Sequence, residues 1–186
     1  MPVPPGASQN VPTDDIFVGI GANLPSPSGP PVVTCEEALD RLAARGAAIM
    51  ARSGWYRSAP VPVSDQPWFV NGVARVAWPG GPQGLMEVLH AVEASFGRVR
   101  KTRDEARVID LDLLAYGDLI RDEPPILPHP RMHERAFVLI PLAELAPGWR
   151  HPRLGQTVEG LLAMLPAGQA IERLPASLAP KALRTI

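Results

Sequence analysis

RVRKTRDEARVIDLDLL, residues 98–114, joins a run rich in arginine to a hydrophobic strand that carries two aspartates. Alternate side chains of a β-strand lie on one face, so Asp110 and Asp112 point the same way, about 6.6 Å apart along the backbone. Two aligned carboxylates suit Mg²⁺, and neighbouring guanidinium groups suit the phosphates that Mg²⁺ often accompanies. The stretch therefore predicts a site for a metal ion and a polyphosphate.

An alternative interpretation of the aspartate pair is that it consists of two solvated acids. A D-x-D pattern is common by chance, and at the end of a strand it is usually exposed to water. Here, however, both acids lie inside the apolar run VIDLDLL at 108–114, where an unpaired charge is costly. This context favours the metal site.

The elements that precede this strand predict the fold. Apolar residues recur at helical spacing in 82–96, and a capping-box pattern at 34–37 begins a shorter helix that ends before Gly46. Alternating or apolar runs predict strands at 16–20, 47–56, 68–78 and 108–116, and a last helix is expected at 157–165. The order β-α-β-β-α-β predicts an α+β, ferredoxin-like antiparallel sheet with the helices on one face and the other face free for ligands.

Composition limits the class of protein. With 186 residues, 46% hydrophobic and 20% charged, the chain is expected to form one domain at 15–166, a disordered tail at 1–14 and a C-terminal tail at 167–186. The net charge of −1 argues against a nucleic-acid binder that depends on phosphate contacts. Cys35 is the only cysteine, which excludes an internal disulfide and fits the cytoplasm. No signal peptide or membrane span is expected, and a monomer is the simplest expectation.

Further side chains add to the proposed site. If the helices cover the opposite face, Phe69 and Asn71 lie on the same face as the two acids, which suits a flat heterocycle with hydrogen-bonding edges. The alternative is that Phe69 packs under the loop at 60–67 and Asn71 satisfies backbone groups. His129 and Arg135 are expected to contact phosphate, since the histidine pair at 129 and 133 lacks a third zinc ligand. Neither a P-loop nor a dinucleotide-binding glycine pattern is present.

Six motifs closely resemble the 6-hydroxymethyl-7,8-dihydropterin pyrophosphokinase family of folate biosynthesis. They occur in the family's order, and the resemblance spans about residues 16–165. The motifs are GIGANL at 19–24, YRSAP at 56–60, DQP at 65–67 with Phe69 and Asn71, GRVR at 97–100, ARVIDLD at 106–112 and PHPRMHERAF at 128–137.

The resemblance implies that pyrophosphate is transferred from ATP to the hydroxymethyl group of the pterin, releasing AMP, with Asp110 and Asp112 holding two Mg²⁺ ions. It also assigns roles to three sets of residues. The catalytic residues would be Arg98, Arg107, Asp110 and Asp112. The residues that bind ATP would be Glu93, Arg100, Lys101, Arg103, Leu113, His129 and Arg135. The residues that bind the pterin would be Ser58, Ala59, Val61, Phe69, Asn71 and Phe137. The partners implied are these two small molecules, without nucleic acid or membrane.

Four positions depart from the family pattern. Asp104 and Glu105 stand where some members have tryptophan and many have glycine, His90 stands where some have glutamine near the adenine, and Pro124 replaces a residue that can be cationic.

Two rival functions remain to be weighed. An RNA-binding module of the same fold is disfavoured by the acids on the exposed face. A non-catalytic homologue is disfavoured because the acids, the arginines and Asn71 are all present.

Overall fold

The fold is taken from a computed structural model that describes residues 15–97 and 107–176. It contains six strands, four α-helices and one short 3₁₀ turn. In chain order they are β1 (Ile16–Ala22), α1 (Pro31–Ala43), β2 (Ala48–Arg52), β3 (Tyr56–Ser58), β4 (Phe69–Ala77), α2 (Pro82–Ser95), β5 (Asp110–Tyr116), the 3₁₀ turn (Met132–Glu134), α3 (Ala136–Leu145), α4 (Val158–Ala163) and β6 (Ile171–Arg173). Within these described ranges, no helix is both long enough and apolar enough to cross a membrane.

The strands form one antiparallel sheet in the order β5-β1-β4-β3-β6, and β2 also pairs with β4. The predicted α+β fold with a ferredoxin-like sheet is confirmed. The register of the central strand positions the site, because Gly21 of β1 lies opposite Asn71 of β4 on one side and Asp110 of β5 on the other. Two polar residues that lie far apart in the sequence, Asn71 and Asp110, thus flank the same residue of β1.

The first face of the sheet packs against α1 and α2. Their apolar stripes bury Leu39 and Leu42 of α1 and Leu85 and Leu89 of α2 against alternate strand residues such as Val18. The predicted capping box was wrong, because α1 begins three residues earlier at Pro31, where proline is favoured at the first helical position. Thr34 is therefore inside the helix, and its hydroxyl donates to Ser26 Oγ at 2.8 Å.

The second face is partly covered, contrary to the expectation that it would be free. Helices α3 and α4 bury Leu139 and Leu161 against Phe17 of β1, Val73 of β4 and Leu114 of β5. The sequence of α3 is apolar on nearly every side, as in a helix that is buried rather than amphipathic. These helices cover one end of the face, and the other end carries the polar residues.

The strand predicted at 47–56 is in fact two strands. Ser53 interrupts it, since its hydroxyl donates to Gly54 O at 2.7 Å and accepts the Val73 N–H at 3.0 Å. The Trp55 ring then packs so closely on Gly72 that a Cβ there would lie 2.7 Å from the ring. Glycine at this position lets β4 continue under the indole.

The region 167–186, expected to be a tail, contributes an edge strand instead. Residues of β6 pair with β3, from Ser58 opposite Ile171 to Tyr56 opposite Arg173. The Glu144 carboxylate of α3 accepts hydrogen bonds from Tyr56 OH at 3.0 Å and Arg173 Nη2 at 2.7 Å, which fastens this edge. Residues 177–186 and the predicted tail at 1–14 lie outside the described residues.

The packing of α3 can be tested by Leu139→Ala, since Leu139 is fully buried. We expect a loss of about 2–5 kcal/mol in the free energy of unfolding, because a cavity remains where the side chain was. The measurement is urea denaturation followed by circular dichroism. Met164→Ala, at an exposed position, is the matched control and should change the value by less than about 0.5 kcal/mol. Equal effects of the two substitutions would contradict the packing.

Candidate active site

A cavity of about 560 Å³ occupies the end of the second face that α3 and α4 leave uncovered. Its floor is the sheet, and it extends from β3 and β4 across β1 to β5 and then to α2. Three groups of side chains line it. Ser58, Val61, Phe69, Asn71 and Phe137 lie toward β3 and β4, Arg107, Asp110, Asp112, His129, Arg131 and Arg135 lie around β5, and Met86, His90 and Glu93 come from α2.

Asp110 and Asp112 both face this cavity, as the strand alternation predicted. Each has an arginine nearby: Arg107 Nη1 lies 2.7 Å from Asp110 Oδ2, and Arg135 Nη1 lies 4.0 Å from Asp112 Oδ2. Over the described ranges, no cluster of three or more histidine, cysteine or acidic side chains could hold a metal ion. A pair of carboxylates on its own fits Mg²⁺, which usually takes one or two carboxylates and completes its shell with water and phosphate oxygens.

Glu93 of α2 holds the strand that carries the acids. It is buried, and its Oε1 accepts the Leu111 N–H at 2.8 Å. Because β5 is the edge strand of the sheet, this carboxylate satisfies a backbone donor that has no strand partner. The side chain of Leu113 lies on the opposite face, in the core with α1 and α2, so it does not reach the cavity.

His129 is a neutral hydrogen-bonding group in this cavity. Burial and the nearby cations Arg135 and Arg131 lower the pKa of His129 from 6.5 to about 4. Its Nδ1 accepts the Arg131 N–H at 3.2 Å, so the neutral ring carries its hydrogen on Nε2. The ring can therefore donate one hydrogen bond to an anion without adding charge.

The orientation of Asn71 is fixed by its neighbours. Asn71 is buried, and its Nδ2 donates to Ser58 Oγ at 2.7 Å. Its Oδ1 lies over Gly21, where an added Cβ would be only 3.0 Å away. Phe69 and Phe137 line the same part of the cavity, so an amide with defined polarity stands beside two aromatic rings. This combination suits a flat ring with donors and acceptors on its edge.

Two residues predicted to bind the pterin sit at the margin of this region. Val61 lines the cavity but is 52% exposed. Ala59 is not among the lining residues, and its N–H donates to Ala170 O at 3.0 Å. Its backbone therefore contributes to the edge next to β6 rather than to the cavity wall.

Asn23 was missed as a site residue by the sequence analysis. It is buried, its Oδ1 accepts the Arg107 N–H at 2.8 Å, and its Nδ2 donates to Pro67 O at 3.1 Å. The Asn23 N–H also donates to Arg107 O at 3.1 Å. Asn23 thereby holds both backbone groups of Arg107 and connects them to the segment before Phe69. The sequence feature that could have identified it is the position of this asparagine directly after the glycine-rich end of β1.

Most of the predicted site residues that the structure describes therefore converge on one cavity. The exceptions are Ala59 and Leu113. Met86, Gln66 and Arg131 line it as well, although no role was predicted for them. The predicted residues Arg98, Arg100, Lys101 and Arg103 lie outside the described residues, as do the variant positions Asp104 and Glu105.

Comparisons with known proteins agree with this geometry. The family model described as 7,8-dihydro-6-hydroxymethylpterin-pyrophosphokinase matches residues 17–147. A protein of Methylorubrum extorquens named 2-amino-4-hydroxy-6-hydroxymethyldihydropteridine pyrophosphokinase is 43% identical over 161 residues, which cover 85% of this chain and 97% of that protein. A Pseudomonas aeruginosa protein of the same name is 41% identical over 161 residues, covering 86% and 96%.

A solved structure shows the same fold. The crystal structure of Plasmodium falciparum HPPK-DHPS superposes with a TM-score of 0.60 and 13% sequence identity. The match covers 80% of this chain but only 44% of that one, so this chain spans less than half of the solved protein. At this identity the match supports the fold alone.

The state of His129 leads to a prediction about pH. In the ligand-free protein we expect NMR titration to give a pKa of about 4. The unfolded chain then binds more protons between pH 4 and pH 6.5, so the free energy of unfolding falls as the pH is lowered through that window. His129→Gln identifies the resonance and should remove this part of the pH dependence. A titration near pH 6.5 would contradict the burial of the ring.

The contact between Gly21 and Asn71 leads to a second prediction. In Gly21→Ala the new Cβ would crowd Asn71 Oδ1 and displace the amide from Ser58. We expect about 3- to 10-fold weaker binding of 6-hydroxymethylpterin, in proportion to a lost or misaligned hydrogen bond. Calorimetric titration measures the affinity. Gly148→Ala is the control, because a Cβ at Gly148 meets nothing within 4 Å. Unchanged affinity in Gly21→Ala would show that Asn71 does not need this orientation.

Proposed function

The chain belongs to the 7,8-dihydro-6-hydroxymethylpterin-pyrophosphokinase family and transfers pyrophosphate from ATP to a hydroxymethyldihydropterin in folate synthesis, and we propose that two Mg²⁺ ions held by Asp110 and Asp112 support this transfer. The observation that carries the proposal is the register at Gly21. It sets Asn71 and Asp110 on either side of one strand, roughly 10 Å apart at twice the spacing of paired strands. A ring bound at Asn71 can thus present a short alcohol arm to the acids.

The reaction needs positioning more than it needs a protein nucleophile. The hydroxymethyl oxygen forms a bond to the β-phosphorus of ATP, the bond from that phosphorus to the oxygen bridging to the α-phosphate breaks, and AMP leaves. The hydroxyl proton is lost to solvent. Phosphoryl-type transfer of this kind depends on alignment and on stabilisation of charge on the phosphate oxygens.

The metal ions would be held by the two carboxylates on β5. When bound, Mg²⁺ supplies charge neutralisation at the phosphate oxygens and lowers the pKa of an oxygen that it binds. The chain supplies the geometry: Glu93 fixes the backbone between Asp110 and Asp112 through the Leu111 N–H at 2.8 Å. A fixed edge strand keeps the two carboxylates on one face.

Cationic and neutral donors would hold the triphosphate around this strand. Arg107 and Arg135 already lie beside the acids, and His129 offers a neutral Nε2–H. Guanidinium groups bind phosphate through two parallel hydrogen bonds, which fixes its orientation as well as its charge. We also assign phosphate contacts to Arg98, Arg100, Lys101 and Arg103, on the strength of the family motif. His90, Met86 and Glu93 line the end of the cavity that remains for the adenosine.

The pterin would bind at the other end of the cavity. Phe69 and Phe137 can pack against its faces, while the fixed amide of Asn71 and the backbone near Ser58 can pair with its edge. We also propose that the protein acts as a monomer in the cytoplasm and binds no nucleic acid. The acids on the ligand face would repel RNA, which disfavours the rival function.

Substitution of the acids tests the proposal. We expect Asp110→Asn and Asp112→Asn each to lower AMP formation from ATP and 6-hydroxymethyl-7,8-dihydropterin by about a thousandfold or more, because the paired charge that holds Mg²⁺ is lost. AMP is measured by chromatography with and without Mg²⁺, and circular dichroism checks that the fold is kept. Asp118→Asn, at an exposed position, is the control.

Two results would contradict different parts of the proposal. Absence of AMP formation by the unmodified protein would overturn the reaction itself. Near-normal rates in both Asn variants would overturn the metal role of the carboxylates and leave the reaction in place.

A further inference from the structure

We propose that Arg131 is a further substrate-binding residue, whose guanidinium contacts the triphosphate of ATP beside His129. This inference rests on the proposed function and assigns a role to a side chain of the motif at 128–137 for which the sequence analysis predicted none. Arg131 lines the cavity together with His129 and Arg135, its neighbours two residues before and four residues after.

The backbone places Arg131 at this position. Its N–H donates to His129 Nδ1 at 3.2 Å, and the 3₁₀ turn Met132–Glu134 follows directly. Met132 is fully buried and anchors that turn in the core under α3. The exposed side chain of Arg131 is thus attached to a fixed segment, which lowers the cost of ordering it around a ligand.

The balance of charge distinguishes Arg131 from the other two arginines. Arg107 lies 2.7 Å from an oxygen of Asp110, and Arg135 lies 4.0 Å from an oxygen of Asp112. Among the residues at 15–97 and 107–176, no carboxylate lies within 4.0 Å of the Arg131 guanidinium, and no hydrogen bond to it is formed. Its positive charge is therefore not balanced within the described part of the site.

Because His129 is neutral, it adds no positive charge to this part of the cavity, whereas Arg131 does. The cations Arg135 and Arg131 contribute to the low pKa of His129, so the Arg131 charge acts on the same region of the cavity as the ring. Within the described ranges, and apart from Arg131, a polyanionic triphosphate there would meet one neutral donor, His129, and two arginines that lie beside carboxylates. Arg131 provides the charge that a neutral histidine cannot, and a guanidinium can make two parallel hydrogen bonds to phosphate.

The experiment compares Arg131→Gln and Arg131→Lys with the unmodified protein in the AMP assay. We expect Arg131→Gln to raise the KM for ATP by about 10- to 100-fold, the loss typical of a hydrogen bond to a charged group. The kcat should stay within about threefold and the KM for the pterin should not change. Arg131→Lys should recover part of the loss, because it keeps the charge without the planar fork. Arg45→Gln, at an exposed position in the turn that follows α1, is the matched control.

Direct binding separates a phosphate contact from a structural effect. In calorimetric titrations with Mg²⁺ present, Arg131→Gln should bind inorganic tripolyphosphate about tenfold or more weakly and should bind adenosine as the unmodified protein does. Equal weakening for adenosine, an unchanged KM for ATP, or a loss in kcat alone would overturn the inference. Tripolyphosphate binding tests the role of Arg131 even if the protein forms no AMP. A failure of the inference about Arg131 can therefore be distinguished from a failure of the proposed function.

Discussion

The register of β1 between β4 and β5 is the constraint on which the site depends. Side chains alternate along a strand, so pairing Gly21 with both Asn71 and Asp110 sets the amide and the acids on one face. A slip of one residue would turn Asp110 and Asp112 into the core with α1 and α2. The apolar residues Leu111 and Leu113, buried on that side, oppose such a slip, so burial of the core fixes the position of the charges.

Two buried polar side chains, Glu93 and Asn23, keep this arrangement rigid through hydrogen bonds to the backbone. Glu93 satisfies a backbone donor of the edge strand, and Asn23 holds the N–H and the C=O of Arg107. Buried polar groups that are fully paired are costly to disturb, because breaking one bond leaves its partner unsatisfied. The acids and Arg107 are thus positioned by hydrogen bonds between these side chains and the backbone, which is how a binding site gains precision from its surroundings.

The sequence predicted the features that depend on local periodicity and missed those that depend on distant contacts. Alternation placed Phe69, Asn71, Asp110 and Asp112 on one face, and helical spacing located the helices of the first face. The segment 136–145 is apolar on nearly every side, so it showed no period from which its packing on the second face could be inferred. Similarly, the capping-box pattern is short enough to occur inside a helix. The role of Asn23 rests on partners 44 and 84 residues away.

The charges around β5 would couple the proposed binding of Mg²⁺ to the binding of the triphosphate. A Mg²⁺ ion at Asp110 would compete with Arg107, which lies 2.7 Å from the same carboxylate. Without phosphate, that competition leaves two cationic groups close together, which is unfavourable at short range in a partly buried site. With triphosphate present, Arg107 would gain a new anion, and the metal would gain oxygen ligands that the two carboxylates alone do not supply. Under the proposed metal role, each ligand would therefore make binding of the other more favourable, so that the metal and the nucleotide would bind together.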